Sequence, residues 1–114
     1  MFFSKLPIIA SKLFLYKQSL FDERWFDQKG ILSITVKTKS AEPPTVFNVH
    51  TVAGGVWYSQ EHSFVEKIRA KQITQLLNLA GKVPNKRMVI MGDFNAGPEV
   101  CPDNYRQVLK RRYV

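Results

Sequence analysis

Two stretches decide the fold: Thr45-Val46-Phe47-Asn48-Val49-His50 and Met88-Val89-Ile90-Met91-Gly92-Asp93-Phe94-Asn95. The first is rich in β-branched and aromatic residues and reads as a strand. The second opens as a short, wholly apolar run, typical of a strand buried on both faces. Between them Val65, Ile68, Gln72, Ile73, Leu76, Leu77 and Ala80 recur at three- and four-residue spacing, which predicts a helix over Ser63–Ala80 with one buried stripe. Ser63 with Glu66 three positions on is a capping-box signature, and Gly81 suits the position just past the helix end. Strand, helix and strand form one crossover unit, and ligands tend to sit at the ends of such strands.

Working outward, Ile31, Leu32, Ile34 and Val36 alternate with Ser33, Thr35 and Lys37, so Gly30–Lys37 is a second clear strand. Across a turn at Ser40–Pro44 it is expected to pair antiparallel with residues 45–50. Lys12–Lys17 has strand-like apolar density, and the opening segment reads as a strand ending near Leu6-Pro7, because proline cannot donate in a central ladder. Ser19–Gly30 has no clean period and reads as loop, as does Thr51–Gln60 with its Gly54-Gly55 pair. Asp103–Arg112 reads as a final helix. The expected class is α/β (α+β), a mixed sheet with helices packed on it.

The 114 residues suit one domain, and their 45% apolar content is ordinary for a globular chain. A net charge of +8 favours an anionic partner such as nucleic acid, phospholipid or a phosphorylated small molecule. Much of that excess sits in Lys82, Lys86 and Arg87 and in the tail Lys110, Arg111 and Arg112. The alternative is a merely solubilising charge. Cys101 is the only cysteine, which excludes an internal disulfide, and no Cys–His motif surrounds it. The first residues fail as a signal peptide, since Pro7, Lys12 and Lys17 interrupt the apolar stretch. No run approaches the ~18 apolar residues of a membrane span.

Three residues carry candidate chemistry: His50, Asp93 and Asn95. Gly92 lets the chain turn at the strand exit, and Phe94 can anchor the loop in the core. Asp93 and Asn95, two apart on extended chain, can point the same way. A carboxylate beside an amide suits a hydrated divalent cation and a phosphate oxygen. An imidazole from the neighbouring strand can stabilise phosphoryl charge or move a proton. Each residue also has a plain reading: Gly-Asp-x-Asn as a turn, and His50 as a packed or surface histidine.

Further landmarks accompany these: Ser4-Lys5-Leu6-Pro7-Ile8, Lys29-Gly30-Ile31-Leu32, Asn48-Val49-His50-Thr51 and Arg69-Ala70-Lys71-Gln72, ahead of Gly92-Asp93-Phe94-Asn95. In this order they resemble the endonuclease/exonuclease/phosphatase superfamily, which includes the DNase I-like nucleases and the neutral sphingomyelinases. The resemblance implies a four-layer α/β sandwich of the DNase I-like type. It implies in-line attack of water on a phosphodiester, with Mg2+ or Mn2+ as cofactor and a phospholipid or a nucleic acid as substrate. Carried over, Asp93 would orient or deprotonate the water and could touch the metal through water. Asn95 would bind a phosphate oxygen, and His50 would contact the phosphate.

The chain departs from that pattern at both ends. Family members have an earlier strand bearing an Asn, then a metal-ligating Glu, and a later strand bearing an Asp-His pair. Glu23 stands in the wrong context for the first, and no aspartate precedes His62 for the second. Residues 1–114 are thus expected to be an incomplete domain lacking its N-terminal and C-terminal catalytic segments, with little or no activity alone. An inactive remnant that binds anionic partners is the alternative. The oligomeric state stays open.

Overall fold

The computed structural model describes residues 3–26, 28–84 and 86–110. Its elements run β1 (Ile8–Leu15), α1 (Phe21–Phe26), β2 (Gly30–Val36), β3 (Thr45–His50), α2 (Ser63–Gly81), β4 (Met88–Asp93) and α3 (Pro102–Lys110). The four strands form one sheet in the order β1-β2-β3-β4. The first three pair antiparallel, and β4 joins β3 in parallel after the α2 crossover. The class is α+β, with a mixed, mostly antiparallel sheet and three helices.

Helix α2 lies on one face of this sheet. Its Leu76 and Ala80 meet Ile31 of β2, Phe47 and Val49 of β3, and Tyr16, all buried together. A second cluster joins Val65 and Ile68 of α2 to Leu20 and Val52. Each such aliphatic side chain contributes roughly 1.5–3 kcal/mol when removed from water. The stripe read from the sequence is the buried one, with one addition: Arg69 is also fully buried.

Several local expectations need correction. Residues 3–7 of the expected opening strand are not strand, and Met1 and Phe2 lie outside the described residues. The strand starts at Ile8, past the proline. The stretch expected to be loop after Ser19 contains α1, a single turn and a half that sequence periodicity cannot resolve. Helix α2 is capped by His62, whose Nδ1 accepts from the Phe64 N–H at 3.2 Å, and not by Ser63. Gly81 belongs to the helix, and the cap residue is Lys82 in a right-handed conformation. The last helix ends its described course at Lys110. Residues 111 and 112 of the expected helix lie outside the described set.

The apolar run of β4 is not buried on both faces. Val89 and Met91 are 53% and 49% exposed, while Met88 and Ile90 pack towards α2. Strand alternation places Val46, Asn48, His50, Val89, Met91 and Asp93 on the face away from α2. Leu13 of β1 shares that face by its pairing with Leu32 and is also exposed. The sheet therefore has one face packed by α2 and an opposite face whose apolar residues are exposed along β1 and β4, at Leu13, Val89 and Met91, while Ile34 and Val36 of β2 are buried on it.

Candidate functional site at the tips of β3 and β4

The parallel register of β3 and β4 ends on the pair His50 and Asp93. Register partners in a sheet point to the same side, so both side chains leave the face away from α2 at its C-terminal end. Both are exposed. Gly92 makes this end possible. Its φ is +135°, and a Cβ there would run into the backbone of Val49. Only glycine tolerates that combination of conformation and close approach.

The segment after Gly92 is tied down by hydrogen bonds. The Asn95 N–H donates to Asp93 Oδ1 at 2.9 Å, an Asx turn that orients the carboxylate and leaves its second oxygen free of this bond. Asn95 Nδ2 donates to the Thr51 carbonyl at 2.8 Å. The Thr51 N–H donates to the Asp93 carbonyl at 3.0 Å, and Thr51 Oγ1 donates to the Phe94 carbonyl at 2.6 Å. Gln60 Nε2 donates to the Asn95 carbonyl at 2.9 Å. Phe94 packs against the main core cluster, as the sequence suggested. Asn95 sits at φ +46°, a left-handed conformation that asparagine tolerates better than most residues.

These bonds stitch the loop after β3 to the loop after β4. The three candidate residues thus belong to one rigid end of the sheet. Among the described residues, no hydrogen bond or ion pair joins the His50 side chain to Asp93 or Asn95.

The groups that hold this end in place are Arg69 and Gln72 of the Arg69-Ala70-Lys71-Gln72 landmark, which the sequence reading singled out without giving either side chain this role. Arg69 Nε donates to the Val52 carbonyl at 2.9 Å and Nη1 to Asn104 Oδ1 at 3.0 Å. Its Nη2 reaches the carbonyls of Gln60 and Ala53 at 3.2 and 3.4 Å. Gln72 accepts from the Val52 N–H at 2.8 Å and donates to the Gln18 carbonyl at 2.9 Å. A buried charge must be hydrogen-bonded, and here loop carbonyls do that work. The available signal was a polar Gln72 inside an otherwise apolar stripe, with Arg69 one turn earlier on the same face.

The basic cluster of Lys82, Lys86 and Arg87 does not flank the tips. Lys82, Lys86 and Arg87 precede Met88, so they lie at the other end of β4, roughly 17 Å from Asp93 at 3.3 Å per residue. Arg87 Nη1 bonds the Ser40 hydroxyl and, at 3.0 Å, the Glu42 carbonyl. Arg111 and Arg112 lie outside the described residues.

Among the described residues, no group of three or more His, Cys, Asp or Glu is placed to hold a metal ion. The tips bring one carboxylate, Asp93. This donor set does not by itself enclose a cation. No helix among the described residues is long and apolar enough to cross a membrane.

No protein-family model matches the chain, and no curated protein matches it. Among solved structures it is similar to a β-hairpin deletion mutant of beta toxin from Staphylococcus aureus. That likeness has a TM-score of 0.75 at 20% identity, over 94% of this chain and 37% of the other. The chain thus spans little more than a third of that structure. Identity this low shows the fold alone. The assignment to the endonuclease/exonuclease/phosphatase superfamily is therefore corrected: the motifs that suggested it match no family model, and what the likeness carries is the arrangement of strands and helices.

Proposed function

We propose that this chain is part of a phosphodiesterase, with His50, Asp93 and Asn95 at its phosphate-binding end. The observation that supports it best is the parallel register of His50 with Asp93, joined to the bond between Asn95 and Thr51. Together these bring an imidazole, a carboxylate and an amide to one strand tip. In this reading the free oxygen of Asp93 orients water for in-line attack on phosphorus and accepts its proton. The second hydrogen on Asn95 Nδ2 donates to a non-bridging phosphate oxygen. His50 stabilises the charge that develops there or hands a proton to the leaving oxygen.

A divalent cation, Mg2+ or Mn2+, would add charge stabilisation if bound. With one carboxylate at the tips, its remaining ligands would have to come from outside the described residues. The same idea accounts for the exposed apolar residues on the sheet face away from α2: a second sheet packed over Leu13, Val89 and Met91 would complete a four-layer sandwich, with residues 1–114 as its incomplete half. The substrate is a phosphodiester, whether lipid or nucleic acid.

The test does not require turnover. Amide resonances of 15N-labelled chain are followed during Mn2+ titration, with and without dimethyl phosphate. Broadening centred on residues 50–51 and 93–95, and lost in Asp93→Asn, is expected. Broadening confined to other parts of the chain would remove the site. Where hydrolysis of bis(p-nitrophenyl) phosphate is detectable, Asp93→Asn should slow it by roughly 10²–10⁴-fold, as for loss of a general base. The net charge of +8 favours a second reading, an inactive remnant that holds anionic partners. Salt-sensitive DNA or vesicle binding that survives Asp93→Asn, without turnover, is its signature.

A further inference from the structure

Helix α1 is polarised in an unusual sense. Its two acids are tied to neighbouring groups. Asp22 Oδ2 accepts from the Val56 N–H at 2.8 Å and Oδ1 accepts from the Glu23 N–H at 2.9 Å. Glu23 is 7% exposed and pairs with Lys29 Nζ at 2.7 Å. The outward side carries Phe21, Trp25 and Phe26, exposed by 68%, 70% and 89%, with Arg24 exposed beside them. Asp22 also clamps the loop that brings up Val56 and Trp57, exposed by 80% and 70%. Between the two segments lies an open cleft of about 410 Å³, lined by the apolar and aromatic residues Leu20, Phe21, Trp57, Tyr58 and Phe64 together with Ser19, Asp22 and Arg24.

We infer that this aromatic surface of α1 and the 56–57 loop is a docking site for the interface of an anionic phospholipid bilayer. Amphipathic aromatic rings partition to the headgroup level, and an arginine among them pairs with lipid phosphate. Glu23 is buried against Lys29, both Asp22 oxygens accept from backbone N–H groups, and the net charge of +8 supplies long-range attraction to an anionic surface. A second copy of the chain fits less well, because self-association through this patch would set Arg24 against Arg24. Nucleic acid fits less well too: stacking platforms lie along a basic groove, whereas one exposed cation stands here among five large apolar side chains.

The surface is coupled to the strand tips. Its loop starts directly after His50, and Gln60, just beyond it, donates to the Asn95 carbonyl. The inference goes beyond the phosphodiesterase reading and does not need it, since it concerns binding alone.

The chain's two tryptophans, Trp25 and Trp57, both lie in the patch, so their fluorescence reports it without a label. The experiment mixes the purified chain with vesicles of phosphatidylcholine containing phosphatidylserine, and reads emission, quenching by brominated lipid, and sedimentation. The expected result is a blue shift, quenching of both tryptophans in the single-tryptophan variants Trp25→Ser and Trp57→Ser, and co-sedimentation. Phe26→Ser should weaken vesicle affinity about tenfold through lost apolar burial. Arg24→Glu should weaken binding to the anionic vesicles more than to pure phosphatidylcholine. These positions are exposed, so unchanged circular dichroism is expected to accompany the loss. Unshifted emission with vesicles overturns the inference. So does a shift produced by single-stranded DNA alone, or by raising protein concentration alone.

Discussion

Thr51 and Phe94 are locked together across two strand tips: the buried Thr51 hydroxyl donates to the Phe94 carbonyl at 2.6 Å. This bond, with that from Asn95 to the Thr51 carbonyl, makes the ends of β3 and β4 a single unit. Replacing Thr51 by Val keeps the shape and removes the donor. The Phe94 carbonyl then loses that partner, at about 1–3 kcal/mol. Urea unfolding should show a lower midpoint with an unchanged slope. An unchanged midpoint would mean that the bond contributes nothing to stability.

Gly92 and Gly81 should respond to alanine in opposite directions. At Gly92 a methyl group meets the Val49 backbone and the φ of +135° is unfavourable, so the loss should exceed roughly 2 kcal/mol. Gly81 is the last residue of α2, with nothing within 4 Å of an added Cβ. Alanine there should stabilise by about 0.5–1 kcal/mol. Thermal unfolding of both variants checks the pair, and destabilisation by Gly81→Ala would return that residue to a position beyond the helix.

Arg69 is predicted to be the most costly polar position to lose. Arg69→Met leaves the carbonyls of Val52 and Gln60 and the amide oxygen of Asn104 without its donors, for a loss of roughly 3 kcal/mol or more. His50→Gln, at an exposed position, should stay within about 0.5 kcal/mol of the parent. Denaturant titrations side by side make the comparison. Equal stabilities would show that the guanidinium network is dispensable.

Tyr16 gives a pH-dependent signature. Burial, and secondarily the nearby Glu23 charge, push its phenol well above the ordinary value of 10.0. The folded state therefore holds the proton that the unfolded chain releases. Its contribution is fully present below about pH 10 and is lost as pH rises towards the folded value. Its hydroxyl is buried with no hydrogen-bond partner among the described residues. Tyr16→Phe should thus raise stability at pH 7 by about 1 kcal/mol and flatten the alkaline decline. An alkaline profile unchanged by the substitution would assign that decline to other groups, among them Cys101, whose thiol burial also pushes up.

Long elements were legible because their patterns exceed noise. Nineteen residues of α2 repeat one stripe several times, and β2 alternates over seven. Helix α1 spans six residues, too few for a period, and what holds it is remote: Asp22 bonded to Val56 and Glu23 paired with Lys29. The β4 run looked like a doubly covered strand because hydropathy counts apolar residues and cannot say what stands opposite them. His50, Asp93 and Asn95 were legible as residue types at strand exits. Arg69 and Gln72 were legible as a landmark, but their network with Asn104 was not, because its partners are mostly backbone carbonyls and carbonyls leave no trace in a sequence.

By itself, then, the order of residues determined which segments become β2, β3, α2 and β4, since local periodicity and β-propensity act within a few neighbours. It also set the net charge and the glycine at position 92. Only the tertiary structure decided that His50 stands in register with Asp93, that apolar residues of β1 and β4 stay exposed on one sheet face, and that the acids of α1 are tied to neighbouring groups while its aromatic rings face water. Those outcomes depend on contacts between residues tens of positions apart, where the free energy of packing and of buried hydrogen bonds, not local preference, selects the arrangement.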